Sequence, residues 1–118
     1  MQNERDLKSR TKKFALEIIR LTGALPKTPS GHVIGNQLLR SGTSLAANYR
    51  AACRARSRAE FISKIGIVIE ESDESVFWLE LIVESNLMAE QKIKDLLKEA
   101  NELTAIMVTS SKSARKNS

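Results

Sequence analysis

The sequence has few of the residues that build cross-linked, metal-stabilised or β-rich small proteins. Its single cysteine, Cys53, excludes an internal disulfide, and its single histidine, His32, excludes a Cys/His zinc site within one chain. Two prolines, five glycines and 4% aromatic residues are too few for a β-sandwich with many turns. No apolar run approaches the ~18 residues of a membrane-spanning helix, and the charged N-terminus is followed by no apolar signal core. These absences predict a helical, cytoplasmic protein without a membrane segment, a metal or a cofactor.

The residues that are present favour a single helical domain. The chain has 118 residues, of which 42% are apolar and 28% charged, close to the average of globular proteins. This length suffices for one modest core and is too short for a second domain. We therefore expect one domain over residues 1–118, with a disordered polar tail from about residue 111.

Apolar residues spaced by three and four positions predict four helices. The helices run from about residue 4 to 25, from 30 or 32 to about 55, from 57 to about 86, and from 89 to about 110. Pro26 ends the first helix, and Ser57 with Glu60 forms a capping box at the start of the third. The inward-facing residues are Leu7, Phe14, Ile18, Leu21 and Leu25; Ile34, Leu38, Leu45, Tyr49 and Ala52; Phe61, Ile65, Val68, Ser72, Val76, Leu79 and Val83; Ile93, Leu96, Ala100, Leu103 and Met107.

Long helices joined by short connections predict an all-α, antiparallel, up-down-up-down four-helix bundle. A turn at residues 56 and 57 between the second and third helices sets Arg40 opposite Asp73 or Glu74. The stretch Ser41 to Ser44 is a poor helix former, and we expect it to bend the helix or admit a close neighbour.

The net charge of +5 is unevenly distributed along the chain. Residues 1–64 carry thirteen Lys and Arg against four Asp and Glu, a balance of +9, whereas residues 65–102 carry three against ten, a balance of −7. Such a distribution indicates helices or subunits that pair by opposite charge, or a basic surface directed at phosphates. A first basic group, near the start of the first helix, consists of Lys8, Arg10, Lys12 and Lys13.

A second basic group contains the candidate nucleic-acid-binding residues Arg50, Arg54, Arg56, Arg58 and Lys64. Arg50, Arg54 and Arg58 are spaced by four and form one ridge if helical geometry persists across the turn. Guanidinium groups bind phosphates in bidentate fashion, so this group is typical of salt-sensitive nucleic-acid binding. Because aromatic residues are few, we expect recognition of shape and backbone rather than base stacking. Alternatively, the same arginines pair with carboxylates of a neighbouring helix or subunit.

Catalytic chemistry finds little support in the sequence. His32 and Cys53 lie 21 residues apart on one predicted helix, about 30 Å at the helical rise, so they form no dyad. No glycine-rich phosphate loop and no nucleophile elbow are present. A hydrolase or nuclease that uses Glu71 and Glu74 with a metal is the one enzymatic alternative. We expect these carboxylates to be solvated or paired with arginines instead.

Residues Arg40 through Ile82, RSGTSLAANYRAACRARSRAEFISKIGIVIEESDESVFWLELI, resemble the 23S rRNA intervening sequence protein family. The resemblance implies a bacterial cytoplasmic four-helix bundle whose relatives assemble into ring-like homopentamers. The related accessory variability determinant of diversity-generating retroelements is a basic pentamer that binds nucleic acid and a reverse transcriptase. The chain departs from the family pattern at Ala51, where an acidic residue commonly follows the arginine, and at Glu70, where lysine is frequent. The first departure strengthens the positive charge beside Arg50, whereas Glu70 weakens it one helix away.

Within this resemblance, four residues are expected to be structural. Arg40, Asn48 and Glu74 are expected to make polar contacts between helices, and Trp78 to lie in the core or at a subunit interface. The leading hypothesis is a non-enzymatic, homo-oligomeric bundle, a pentamer by resemblance, that binds structured RNA through its basic face. The alternative is a protein-interaction or assembly scaffold whose arginines serve subunit packing.

Overall fold

The computed structural model describes residues 4–117, which form four α-helices and one short 3-10 turn. The α-helices are α1 (Glu4–Gly23), α2 (Pro29–Cys53), α3 (Arg58–Glu84) and α4 (Lys94–Lys116), and the 3-10 turn is Glu90–Lys92. No strand occurs within this range, and the predicted all-α four-helix bundle is confirmed. Residues 1–3 and 118 of the expected 1–118 domain lie outside the described residues.

Each helix packs against the next one along the chain, and the short connections make successive helices antiparallel. α2 packs against α1 and α3, and α3 packs against α4, whereas α1 and α4 share a much smaller contact. The bundle measures 47 × 21 × 20 Å, which matches helices of about 20 to 27 residues lying side by side. α2 and α3 therefore form the most extensively packed pair, and α1 and α4 meet at the lightest seam.

Capping groups set the boundaries of the helices. The Thr28 hydroxyl accepts a hydrogen bond from the Gly31 amide at 3.1 Å, so α2 begins at Pro29, slightly earlier than predicted. The Ser57 hydroxyl accepts a hydrogen bond from the Glu60 amide at 3.0 Å and starts α3 as predicted. α3 ends in a Schellman motif, in which Asn86 has a φ of 60° and the Leu87 amide donates to the Ile82 carbonyl at 3.1 Å.

The core follows the predicted apolar stripes, with the largest differences in α3. All of the predicted inward residues of the first and fourth segments are buried, as are those of α2 except the half-buried Ile34. In α3 the predicted residues Phe61, Val76 and Val83 are only half-buried, whereas Ser75 and Ile82 are fully buried. Ser75 meets Ser41 of α2 while Ser72 meets Thr104 of α4, so the buried face of α3 is wider than the single predicted stripe.

Small polar residues allow α2, α3 and α4 to approach closely. The Ser41 and Ser75 hydroxyls share a hydrogen bond of 2.9 Å between α2 and α3, and the Thr104 hydroxyl donates to the Ser72 hydroxyl at 2.9 Å between α4 and α3. Every buried side-chain polar atom of the described residues has a hydrogen-bond partner. Gly42, in the same stretch of α2, admits α1 as its close neighbour.

α4 begins and ends later than predicted, since residues 90–92 form a 3-10 turn and the helix starts at Lys94. The polar segment from residue 111, expected to be disordered, continues as helix to Lys116. Ser111 is only 9% exposed, and Arg58 at the start of α3 donates a hydrogen bond to the Asn117 carbonyl. Because cationic side chains interact favourably with a helix C-terminus, Arg58 stabilises this end together with the basic residues of the last turn.

Candidate nucleic-acid interface

A basic cleft opens between the end of α2 and the start of α3, which we call the α2–α3 cleft. Its lining residues are Ala47, Arg50, Ala51, Arg54, Arg56, Glu60 and Lys64, and its volume is about 510 Å³. Arg50 lies in the last turn of α2, and Arg54 is the residue that caps this helix. Four of the five predicted nucleic-acid-binding residues therefore lie together, with Glu60 as the one carboxylate among the lining residues.

A second cleft, the α1–α2 cleft, lies on the other side of α2. Its lining residues are Lys8, Ser9, Thr11, Lys12, Ala46, Ala47, Arg50 and Arg54, and its volume is about 380 Å³. Because Arg50 and Arg54 line both clefts, the two form one continuous basic surface over three helices. We call it the basic surface, and its cations are Lys8, Lys12, Arg50, Arg54, Arg56 and Lys64.

The predicted ridge of Arg50, Arg54 and Arg58 is wrong at its last member. Helical geometry does not persist across the turn, since α2 ends at Cys53 and α3 begins at Arg58. The Arg58 side chain instead donates a hydrogen bond to the Asn117 carbonyl, where α4 ends. Arg58 is therefore absent from both cleft linings and acts in the packing of α3 against α4.

Lys8 and Lys12 were predicted as part of a separate basic group, and their place beside Arg50 was missed. The signal that could have found it is the turn between α1 and α2, because matching positions about this turn sets Lys8 opposite Arg50. The same group divides between two surfaces. Arg10 forms a bidentate pair with Glu99 on α4, with N–O distances of 3.0 and 2.6 Å, and Lys13 lines a cleft that contains four carboxylates.

The cations of the basic surface are largely free of intramolecular partners. Within residues 4–117, Arg50, Arg54, Arg56 and Lys64 take part in no ion pair, and Lys8 makes only an exposed contact of 3.5 Å with Glu4. The three arginines are exposed, and Lys64 is half-buried. Unpaired cations at this density produce a positive field that attracts phosphates and is screened by salt.

Beneath the basic surface, Tyr49 and Cys53 form a neutral layer. Tyr49 is 5% exposed and belongs to the core. Burial, followed by the contact with Cys53, raises the pKa of the Tyr49 phenol above its ordinary value of 10. Burial also raises the pKa of the Cys53 thiol, which favours the protonated and less nucleophilic form. His32 lines a different cleft, at the opposite end of α2, so no Cys–His dyad forms.

A separate polar cluster joins α2 to α3 away from the basic surface. Arg40 donates to Glu71 at 3.0 Å and pairs with Glu74, as the predicted turn geometry required. The Trp78 indole N–H donates to the Glu74 carboxylate at 3.1 Å. The Arg40 guanidinium, the largest cause, and this indole hydrogen bond lower the pKa of Glu74. Arg40 and Glu74 thus connect the helices, as expected.

The remaining expected structural residues differ in their contacts. The Asn48 amide donates to the Ser44 carbonyl and hydroxyl at 2.9 and 3.0 Å, so its bonds lie within α2 rather than between helices. This arrangement follows from the spacing of four, which stacks the two side chains on one helix face. Trp78 is half-buried against the core and meets Phe77 edge to face, with ring centroids 4.9 Å apart.

The part of the chain that the structure describes offers no obvious metal centre. Glu71 and Glu74, the carboxylates of the enzymatic alternative, both bind the Arg40 guanidinium. Across residues 4–117 no cluster of three or more His, Cys, Asp or Glu residues is arranged to hold a metal ion. None of the described helices is both long and apolar enough to span a bilayer.

Comparison with known proteins places this chain in a family. A solved structure from Bacteroides thetaiotaomicron, described as a protein with unknown function from the S23 ribosomal protein family, has the same fold, with a TM-score of 0.83 and 32% sequence identity. The match covers 89% of this chain and 97% of that chain. The comparison with curated proteins gave no match. Residues 4–109 match the family described as 23S rRNA-intervening sequence protein, so the chain belongs to that family.

Proposed function

We propose that this protein is a non-enzymatic, cytoplasmic, homo-oligomeric bundle that binds structured RNA through the basic surface. The observation that carries the proposal is the convergence of six cations from α1, α2, α3 and the α2–α3 connection on one surface. Arginine and lysine at this density neutralise backbone phosphates and release counterions, which is the main source of sequence-independent affinity. The cleft linings contain no aromatic side chain, which favours contact with the backbone over base stacking.

The test is a salt series of fluorescence anisotropy with a labelled RNA hairpin. Arg50→Gln/Arg54→Gln should weaken binding and lower the slope of log affinity against log salt by about 1.5, because two phosphate contacts are lost. Lys94→Gln/Lys98→Gln is the matched control, since it removes two charges spaced one turn apart on the exposed face of α4. Absence of binding at low salt, or an equal loss in both variants, would contradict the proposal.

A second candidate function, assembly as a scaffold, is favoured by two exposed stripes. The stripe on α3 consists of Glu70, Asp73, Phe77, Glu80 and Glu84, and Phe77 at its centre is 50% exposed. The stripe on α1 contains Arg5, Lys12, Leu16 and Ile19, and its two apolar residues are 45% and 48% exposed. The two stripes are complementary in charge and lie on helices that do not pack extensively together. A head-to-tail contact between copies would join them.

The oligomeric state separates assembly from RNA binding. Phe77→Ser should reduce the mass measured by light scattering, whereas Val33→Ser, at a residue 61% exposed on α2, should leave it unchanged. A wild-type monomer would contradict self-association. Neither stripe contains Arg50, Arg54 or Arg56, but Lys12 belongs to both the α1 stripe and the basic surface, so the two proposed contacts share this residue. A stable oligomer that binds no RNA would leave the scaffold as the function.

A further inference from the structure

The two clefts of the basic surface open on either side of one helix. α2 packs against α1 on one flank and against α3 on the other, whereas α1 and α3 share no extensive contact among the described residues. The last turns of α2 therefore form a convex edge of the bundle, with the α1–α2 cleft on one side and the α2–α3 cleft on the other.

The cations of the basic surface fall into three rows, one on each side of the edge and one on the edge itself. Lys8 and Lys12 lie on α1, and Arg50 and Arg54 lie at the C-terminal end of α2. Arg56, in the α2–α3 connection, and Lys64, on α3, form the third row together with the Glu60 carboxylate. Packed helices lie about 8–10 Å apart, and α1 and α3 flank α2 at a corner of the bundle, so their axes are separated by about 11–14 Å. A single strand presents one line of phosphates at a time, whereas a duplex presents two lines, one on each side of a groove.

The side chains between the rows are small. Ala46, Ala47 and Ala51 lie on α2 and Ser9 on α1. Alanines allow close approach but donate no hydrogen bond to base edges, so the edge is suited to read shape rather than sequence. They also offer no platform on which unstacked bases of a single strand could stack.

The packing of α1 and α3 against both flanks of α2 limits how far α2 can enter a groove. The flanking helices α1 and α3 prevent α2 from entering a groove as deep as the ~8.5 Å major groove of B-form DNA while both outer rows remain in contact. The minor groove of A-form RNA is wide and shallow and displays 2′-hydroxyl groups between two phosphate backbones. That shape matches a shallow convex edge with cations on both sides.

We infer that the ligand of the basic surface is double-stranded RNA, with the α2 edge over the minor groove. Lys8 and Lys12 contact the phosphates of one strand, and Arg56 and Lys64 contact those of the other. This inference rests on the proposed function, because it assigns the class of nucleic acid that the same surface binds.

The experiment compares three labelled probes of one sequence by fluorescence anisotropy. They are an RNA duplex of about 20 base pairs, one strand of that duplex alone, and the corresponding DNA duplex. The duplex length exceeds the ~16 base pairs spanned by a double-stranded-RNA-binding domain. We expect the RNA duplex to bind about tenfold or more tightly than either of the others, a difference of about 1.4 kcal/mol. Equal binding of the single strand, or of the DNA duplex, would overturn the inference, whereas hairpin binding that depends on Arg50 and Arg54 would still support the proposed function. Failure of all three probes to bind at low salt would overturn the proposed function itself.

Variants on the two sides test the two-strand arrangement separately. Lys8→Gln/Lys12→Gln and Arg56→Gln/Lys64→Gln should each weaken duplex binding and lower the salt slope by about 1 to 2. Lys94→Gln/Lys98→Gln on α4 again serves as the control, and unchanged melting temperatures will show that the variants fold. A loss confined to one side would refute contact with both strands.

Discussion

Gly42 provides a sharp test of how closely α1 and α2 approach. A Cβ atom at this position would lie 2.9 Å from Cγ2, 3.0 Å from Cγ1 and 3.2 Å from Cβ of Ile18. Non-bonded carbon atoms prefer about 3.5–4.0 Å. Ile18 is fully buried and β-branched, so its side chain has little freedom to withdraw. Gly66, in the interior of α3, is the matched control, because a Cβ there would meet nothing within 4 Å.

The expected magnitudes follow from two opposing effects. Replacing a helical glycine with alanine stabilises the helix by about 0.5–1 kcal/mol. Gly66→Ala should therefore raise the free energy of unfolding by that amount. Gly42→Ala gains the same amount but adds a methyl group to a filled space, which costs about 1–3 kcal/mol. The gain cancels in the comparison, so the two variants should differ by about 1–3 kcal/mol, with Gly42→Ala the less stable.

The assay is urea denaturation followed by far-UV circular dichroism, at one fixed protein concentration because oligomers couple stability to concentration. Adding Ile18→Ala to the Gly42→Ala variant should cost less than Ile18→Ala alone, since the methyl group then occupies vacated space. Equal stabilisation by Gly42→Ala and Gly66→Ala would refute the close contact between α1 and α2.

Three further predictions concern side chains that connect the helices. Acidification should change the emission of Trp78 in a transition centred below pH 4.5, because Arg40, and then the indole itself, lowers the pKa of Glu74 from that value. The stabilisation that the Glu74 carboxylate gives the fold is complete above pH 4.5 and is lost as the pH falls through the lowered pKa. A transition that survives Glu74→Gln would contradict this prediction. Tyr49→Ala should destabilise the protein by about 3 kcal/mol. Since burial raises the pKa of the Tyr49 phenol above 10, the contribution of the neutral phenol to stability is complete below pH 10 and declines at higher pH. Tyr49→Phe should therefore flatten the loss of melting temperature above pH 10, and an unchanged loss would count against the buried phenol. Arg10→Ala and Glu99→Ala should show a coupling energy of about 1 kcal/mol in a double-mutant cycle, and this energy should fall at high salt. A coupling energy of zero would contradict the Arg10–Glu99 pair.

The candidate site was only partly predictable from the sequence. Arg50 and Arg54 were correctly predicted to share a face, because both lie within the regular spacing of α2 and its cap. Arg58 follows the same spacing but lies beyond a break, and the turn at 54–57 changes the direction of the chain before α3 begins. A periodic pattern predicts neighbours only inside one uninterrupted helix.

Local sequence patterns specify the four helices, most of their buried faces and the capping at Ser57. These features depend on residues three or four positions apart, and such residues meet in any helix whatever surrounds it. The packing of the helices against one another places Lys8 and Lys12 beside Arg50 in one basic surface, Arg58 at the end of α4, and Arg10 against Glu99. Contacts of this kind depend on the register between helices, which is set by the whole packed core and by the path of each connection rather than by any local pattern.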